Sequence, residues 1–291
     1  MRKILITGTS GFLGFNLLRQ APSNAIIYVA AHQKEIPGDP ANAISLDITN
    51  IKTTMEAIKT INPDVIIHAA ALADPGQCFK NQSLAMQVNV DGSINIAKAA
   101  KAVNARFIFI STDLVYKGDS QNYDESQAGD CCFYGQTKLD AEQSITEIMP
   151  NAFIARIALL FGIGHVNRRC FAEQVIENVR KGDTANLFTD EYRCPLQVNN
   201  LCEILFEAAV RPEIQGIYNI GSPDRISRYD FIKTICQRLN LDTNLLNPTR
   251  ISDINFAEPR PADCSMNITK AQNIFKTSLL PLAKTIPQIW P

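Results

Sequence analysis

The sequence predicts an α/β fold in which a doubly wound parallel sheet carries a smaller C-terminal lobe. Three observations lead there. Unbroken β-branched and apolar runs recur along the first half, with no polar–apolar alternation, as strands buried on both faces require. Helical patterns separate these runs, which makes the sheet parallel. A glycine-spaced turn joins the first run to the first helix.

Lys3–Thr7 reads as the first strand, followed by an apolar helix through Phe12, Leu13, Phe15, Leu17 and Leu18. Ala25–Ala31 is the second strand and Ile44–Asp47 a short third. Ile51–Ile61 has helical periodicity. Asp64–Ala70, started by Pro63, is the fourth strand, and a helix follows over Ser83–Val103. Arg106–Ser111 is the fifth strand. The second half predicts helices at about 135–148, 168–181, 198–210 and 228–240, with strands at Ala152–Leu160, Ala185–Phe188 and Gly216–Ile220. Leu241–Pro261 holds Pro248, Pro259 and Pro261 and reads as loop. We therefore expect a dinucleotide-binding domain over 1–160, with 185–220 returning to it, and a smaller substrate-binding lobe from 161–184 and 221–291.

Composition narrows the class. The 291 residues are 46% hydrophobic and 20% charged, enough for a substantial core. Lys and Arg number 28 against 29 Asp and Glu. That balance argues against nucleic-acid or membrane-surface partners, which favour a basic excess. No apolar run approaches the ~18–20 residues of a membrane span. The apolar run at the N-terminus stops at Thr7-Gly8, too short for a secretion signal, so a cytoplasmic chain is expected. The 8 cysteines contain no Cys-x-x-Cys pair, and His32, His68 and His165 do not cluster with them. Neither a metal site nor a disulfide framework is expected. Cys131-Cys132 lies close to the proposed site and is expected to be open to alkylation without being catalytic.

Gly8-Thr9-Ser10-Gly11-Phe12-Leu13-Gly14 sits between a strand and a helix. Glycines there let backbone approach a pyrophosphate, and the helix N-terminus offers free N–H groups. At the end of the second strand, an acid that would bind a ribose 2′-hydroxyl is missing. His32 and Lys34 stand there instead and suit a 2′-phosphate, which favours NADP(H) over NAD(H). Asp47 either bonds the adenine or caps the helix after Thr49.

The fifth strand ends in Ser111-Thr112-Asp113, and Tyr134-Gly135-Gln136-Thr137-Lys138 lies downstream. Tyr134 and Lys138, four apart on a helix, share a face. An ammonium beside a phenol favours phenolate and lowers its pKa, so Tyr134 is a candidate general acid. Thr112 would hydrogen-bond the reacting carbonyl. A second pair, Tyr229 and Lys233, follows Ser227, a helix-capping residue, and reads as an ordinary amphipathic helix.

Together the Gly-x-x-Gly-x-x-Gly turn, the Ser111-Thr112 strand end and Tyr134-x-x-x-Lys138 resemble the extended short-chain dehydrogenase/reductases, whose fold is the Rossmann type. Ser111-Thr112-Asp113-Leu114-Val115-Tyr116, Tyr134–Glu142 and Arg260-Pro261-Ala262-Asp263-Cys264-Ser265-Met266 resemble the dTDP-4-dehydrorhamnose reductase family more closely. That family also includes the regulatory beta subunit of methionine adenosyltransferase. The resemblance implies reduction by NAD(P)H of a nucleotide-linked 4-keto-6-deoxysugar. Tyr134 would protonate the forming alkoxide, Lys138 would tune Tyr134 and hold the nicotinamide ribose, and Thr112 would place the carbonyl. The resemblance also puts Ala69, Ala70, Ala71 and Asn89 along the cofactor cleft, where Ile48 and Ser111 are expected too. On the substrate side it implies Asp113, and Arg193 and Arg260 toward the diphosphate, a task that suits arginine. The chain departs from the reductases at Arg156–Leu160, where they carry an aromatic, and at Tyr192-Arg193-Cys194-Pro195-Leu196. These departures concern the identity of the sugar more than its class. An epimerase or dehydratase shares the triad, and a non-catalytic NADP-binding regulatory subunit can keep it, so both readings stay open. A homodimer is expected because dimers are common in this fold.

Overall fold

The computed structural model describes residues 1–32, 40–165 and 168–290. Its strands and helices, in chain order, are β1 (Arg2–Thr7), α1 (Phe12–Arg19), β2 (Ala25–Ala31), β3 (Ala43–Ser45), α2 (Ile51–Ile61), β4 (Val65–His68), α3 (Pro75–Lys80), α4 (Gln82–Ala85), α5 (Gly92–Ala102), β5 (Arg106–Thr112), α6 (Phe133–Ile148), β6 (Phe153–Ile157), β7 (Leu160–Phe161), α7 (Phe171–Arg180), β8 (Ala185–Phe188), β9 (Tyr192–Arg193), β10 (Leu196–Gln197), α8 (Val198–Val210), β11 (Gly216–Ile220), β12 (Ile226–Ser227), α9 (Arg228–Arg238), β13 (Leu246–Thr249), α10 (Thr269–Ile274) and α11 (Leu282–Ile289). A π-helical turn, Met86–Asp91, joins α4 to α5.

Seven strands form one parallel sheet in the order β11-β6-β5-β4-β1-β2-β3. The winding reverses between β1 and β4, and such a switch point opens a crevice at the carboxyl ends of the strands. Successive strand residues feed opposite faces. Ile4, Ile6, Ile67, Ile108 and Ile110 pack against α1 and α8, while Leu5, Ile66, Phe107, Phe109 and Ile154 pack against α2, α5 and α6. Each such side chain, fully removed from water, contributes roughly 1.5–3 kcal/mol. A third core joins α7, β8, α9, β13 and α11 through Phe161, Leu187, Phe231, Leu246 and Trp290. β8, within the stretch expected to return to the large sheet, instead pairs with β13 in this third core. α8 and β11 do join the large sheet, and α10 packs there as well.

Three local differences from the sequence reading have clear causes. The third strand ends at Ser45, and Asp47 bonds Thr49 in a tight turn. The helix expected over Ser83–Val103 is preceded by α3, where Asp74 caps and Pro75 starts the first turn. The same helix is also widened by the π turn. Among the described residues no helix is long and apolar enough to cross a membrane.

Candidate active site

The glycine turn lies at the switch point. Gly8 has φ +75°, and a Cβ there would sit 2.7 Å from the backbone of Ala69 and Ala70. A Cβ on Gly14 would meet the Gly8 oxygen at 2.3 Å. These two glycines therefore hold the turn against its neighbours. A Cβ on Gly11 would meet only the Gly8 oxygen, at 3.2 Å, a milder contact than at Gly8 or Gly14. It begins α1 with no side-chain cap, and no acid follows in the first turn. Open N–H groups at a positive dipole end fit a pyrophosphate. Thr9 is buried and bonds the Ala30 oxygen, so it braces β2. Ser10, Phe12 and Leu13 complete the turn, with Leu13 and Phe12 in the core behind it.

At the edge of β2, His32 is half-exposed, and its Nε2 lies 3.8 Å from Asp47 Oδ2. The Thr49 hydroxyl and N–H donate to the other Asp47 oxygen and hold its carboxyl below the usual range. The helix cap is Asn50, which accepts from Lys52 and Thr53 N–H, so the capping role considered for Asp47 is corrected. Ile48 packs in the core beneath and faces Gly92. Lys34 lies outside the described residues.

The catalytic candidates converge at the carboxyl end of β5. Gly135, between Tyr134 and Gln136, lies against the Leu114 oxygen so closely that a Cβ would reach within 1.9 Å of it. That contact presses α6 onto the end of β5 and brings Tyr134 near Thr112, whose hydroxyl donates to Asp113 Oδ1 at 3.2 Å. Tyr134 and Lys138 are both buried. The Lys138 ammonium stands 4.0 Å above the Phe109 ring. The expected lowering of the tyrosine pKa is not found. Burial first, then the nearby Cys78, Asp113 and Cys132, push the Tyr134 phenol well above its ordinary value, with Thr112 opposing. Burial brings Lys138 down to about 7, partly offset by Glu142 and Cys78. Burial is the largest cause of both shifts, and it disfavours the charged form of each group. Burial likewise pushes the Cys131 thiol up to about 12 and raises Cys132, which makes both poor nucleophiles.

Two buried networks support this corner. Asn89, in the π turn, accepts from the Leu72 N–H at 2.8 Å and donates to the Leu72 oxygen and to Thr137 on α6. It thereby ties the loop that carries Ala69, Ala70 and Ala71 to α6. A widened helical turn often marks a functional position. His68 bonds Thr7 at 2.7 Å and Ser93 at 3.1 Å. Ser93 donates to the Asn89 oxygen, so His68 Nε2 carries the proton and Nδ1 accepts from Thr7. Burial brings His68 down to about 3, so it stays neutral. On the other flank Ser111 donates to Glu142, which pairs with Arg156 at 2.7 Å. Arg156 continues to Tyr116, and Tyr116 to Asn219 at 2.6 Å. Sequence reasoning missed His68, Glu142 and Arg156. The signal was present: a charge or imidazole inside an apolar strand must find a partner.

The substrate side is built from four separated segments. Asp113 is buried, and its Oδ2 has no hydrogen-bond partner. Burial raises its carboxyl to about 6, against the pull of Arg193, whose Nε lies 3.6 Å away. Arg193 is buried as well, donates to the oxygens of Tyr192, Pro261 and Ala262, and forms an ion pair with Glu191 at 3.1 Å. Arg260 meets Glu191 at 2.7 Å and lies between Phe188 and Phe256. Glu191 and Arg228 were not singled out from sequence. The other tyrosine–lysine pair stays apart: Ser227 caps α9, Tyr229 packs in the third core, and Lys233 lies over its ring at 5.5 Å.

Known proteins resemble this chain over nearly its full length. The chain is 28% identical over 287 residues to dTDP-4-dehydrorhamnose reductase of Aggregatibacter actinomycetemcomitans, covering 94% of each chain. It is 26% identical over 297 residues to methionine adenosyltransferase 2 subunit beta of Pongo abelii, covering all of this chain and 88% of the relative. The solved dTDP-4-dehydrorhamnose reductase of Bacillus anthracis, in complex with NADP, superposes with a TM-score of 0.88 at 25% identity over 99% of this chain and 98% of that one. A model of the RmlD substrate binding domain matches residues 1–290, and the chain belongs to that family.

Proposed function

We propose that the protein is an NADPH-dependent reductase of a nucleotide-linked 4-keto-6-deoxysugar. The observation that carries this reading is the meeting of Thr112, Tyr134 and Lys138 at the carboxyl end of β5, beside an uncapped helix N-terminus at the switch point. Relatives named as dTDP-4-dehydrorhamnose reductases, one of them solved with NADP, support the substrate class and the cofactor. The absence of an acid at the end of β2 until Glu35 supports NADP over NAD.

A bound nicotinamide dinucleotide supplies the hydride that reduces the carbonyl carbon. The chain supplies the rest. The Gly8–Gly14 turn holds the pyrophosphate, with Ala69, Ala70, Ala71 and Ile48 along the cleft and His32 and Lys34 toward the 2′-phosphate. The Thr112 hydroxyl orients the substrate oxygen. Tyr134 gives its phenolic proton to the oxygen as negative charge develops there. Its burial keeps the proton in place beforehand. Lys138 then stabilises the phenolate, and the Lys138 ammonium also reaches the nicotinamide ribose. The unpartnered Asp113 Oδ2 accepts from a sugar hydroxyl, and Arg260 faces the diphosphate. The protein acts in the cytoplasm, and pairing into a homodimer is expected.

The test is oxidation of NADPH and NADH, followed by nicotinamide absorbance, with dTDP-, UDP-, GDP- and CDP-linked 4-keto-6-deoxysugars. Turnover with one of them, faster with NADPH, is expected. The match to a methionine adenosyltransferase beta subunit favours a second reading, a regulatory NADP-binding subunit. NADP binding without turnover of any sugar would select it.

A further inference from the structure

The helix that carries Tyr134 has no cap of its own. Cys132 occupies the N-cap position of α6 without a side-chain hydrogen bond, and no acid stands in the first turn. Such an end leaves N–H groups without intrahelical partners and a positive dipole end uncompensated. The missing acceptor comes from the loop between β13 and α10. The Phe133 N–H, the first of α6, donates to Oε1 of Glu258, 125 residues along the chain. Glu258 is half-buried, and among the described residues this is the one hydrogen bond its carboxylate makes. A carboxylate at that end completes the cap and faces the dipole with the favourable sign.

The segment that delivers Glu258 has little internal structure. Residues 255–260 make no backbone–backbone hydrogen bond. Pro259 and Pro261 favour extended backbone at the residues before them, Glu258 and Arg260. The segment is fixed at its ends instead. Before it, the Ile251 N–H donates to Asp190 at 2.9 Å. After it, the Asp263 N–H donates to the Gly118 oxygen at 3.0 Å. Three side chains attach it in between. Phe256 meets Phe188 with ring centroids 5.9 Å apart, Arg260 meets Glu191, and Glu258 is the one that reaches α6. The first turn of α6 is thus held from two sides. Gly135 lies against the Leu114 oxygen, just after β5, and Phe133 is held by Glu258. Tyr134 stands between these two anchors.

We infer that Glu258 is a positioning residue for the proposed proton transfer: it caps α6 from the C-terminal loop and so sets where the Tyr134 phenol stands. The inference rests on the reductase reading and adds Glu258 to it. The experiment compares the full chain as native protein, Glu258→Gln and Glu258→Ala. Each is assayed with NADPH and the 4-keto-6-deoxysugar nucleotide of the panel that native protein reduces fastest. Hydrogen exchange of the Phe133 amide is followed by NMR without substrate. Glu258→Ala is expected to speed that exchange by at least ~10-fold, because the N–H loses its acceptor. It is also expected to lower kcat by roughly 10–100-fold, the effect of a misplacement of about 1 Å. KM and NADPH affinity stay within about twofold, as a residue acting through α6 requires. Gln keeps the acceptor oxygen and restores most of kcat. Native kcat in Glu258→Ala overturns the inference, whether or not that variant melts lower. A raised KM at native kcat also overturns it, by placing Glu258 against the substrate. A kcat equally low in Gln and Ala overturns the capping account. A Phe133 amide that exchanges freely in native protein removes the cap and leaves the reductase reading standing. Native protein that reduces no sugar of the panel overturns the reductase reading itself, and the positioning role with it.

Discussion

The proposed cofactor end and the proposed substrate end of this site are built from different materials. At the cofactor end, Gly8, Gly11 and Gly14 present backbone, and close packing against Ala69 and Ala70 sets the turn. At the substrate end, Asp113, Glu191, Arg193, Arg228 and Arg260 present charge, from segments up to 147 residues apart, and burial decides each group's state. A backbone site tolerates few substitutions and keeps its chemistry. A side-chain site can be retuned one residue at a time while the fold persists, which suits a fold that serves many sugars.

The sharpest way to break this contrast is at the glycines. Gly8→Val forces a β-branched residue to φ +75° with a Cβ 2.7 Å from backbone. It is expected to cost both stability and cofactor affinity, the latter by at least ~100-fold in calorimetry. Gly11→Ala, at φ -89° with only the Gly8 oxygen close to its Cβ at 3.2 Å, should lower the cofactor-free melting temperature far less than Gly8→Val and weaken NADP binding. Equal effects at both positions would show that Gly11 is only a turn residue.

Next in size is Tyr134→Phe, expected to lower kcat by ~10²–10⁴-fold with NADPH affinity within about twofold. Tyr229→Phe serves as the control and should turn over at the native rate. A dead Tyr229→Phe would displace the whole catalytic assignment.

The smallest effect lies at Asp113. Its folded pKa, about 6, stands above the unfolded value of ~3.9. The folded state therefore binds the proton more tightly. This group's contribution to stability is full below pH ~4 and is lost as pH rises through 6. Asp113→Asn removes that dependence. It is expected to raise stability at pH 7 by ~2 kcal/mol, with no gain below pH ~4, and to raise the substrate KM. Thermal melts across pH 4–8 check the first expectation. A native protein whose stability does not fall between pH 4 and 6 would remove Asp113 from the list of strained groups.

Much of the large domain was legible before any coordinates. β1, β2, α2, β5 and α8 lie within a residue of where periodicity put them, because an unbroken apolar run or a 3.6-residue repeat is a local pattern with one burial solution. The glycine turn and the Tyr134-x-x-x-Lys138 spacing were legible for the same reason. α3 was missed although Asp74-Pro75 announced it, and the π turn around Asn89 carries no compositional mark. The raised Tyr134 phenol ran against a local argument that counted the lysine charge and left out burial.

Short-range pattern and backbone sterics were enough to read the parallel sheet, the glycine turn and the helix that carries Tyr134 and Lys138 from the chain alone. The charges of the substrate end were not readable in that way. Arg193, Arg228 and Arg260 meet because β9 pairs antiparallel with β12 and bridges to Asp263, two long-range contacts that no local signal encodes. Whether a guanidinium there is spent or free, and whether Asp113 holds its proton, depends on desolvation, and desolvation exists once distant segments close over the group.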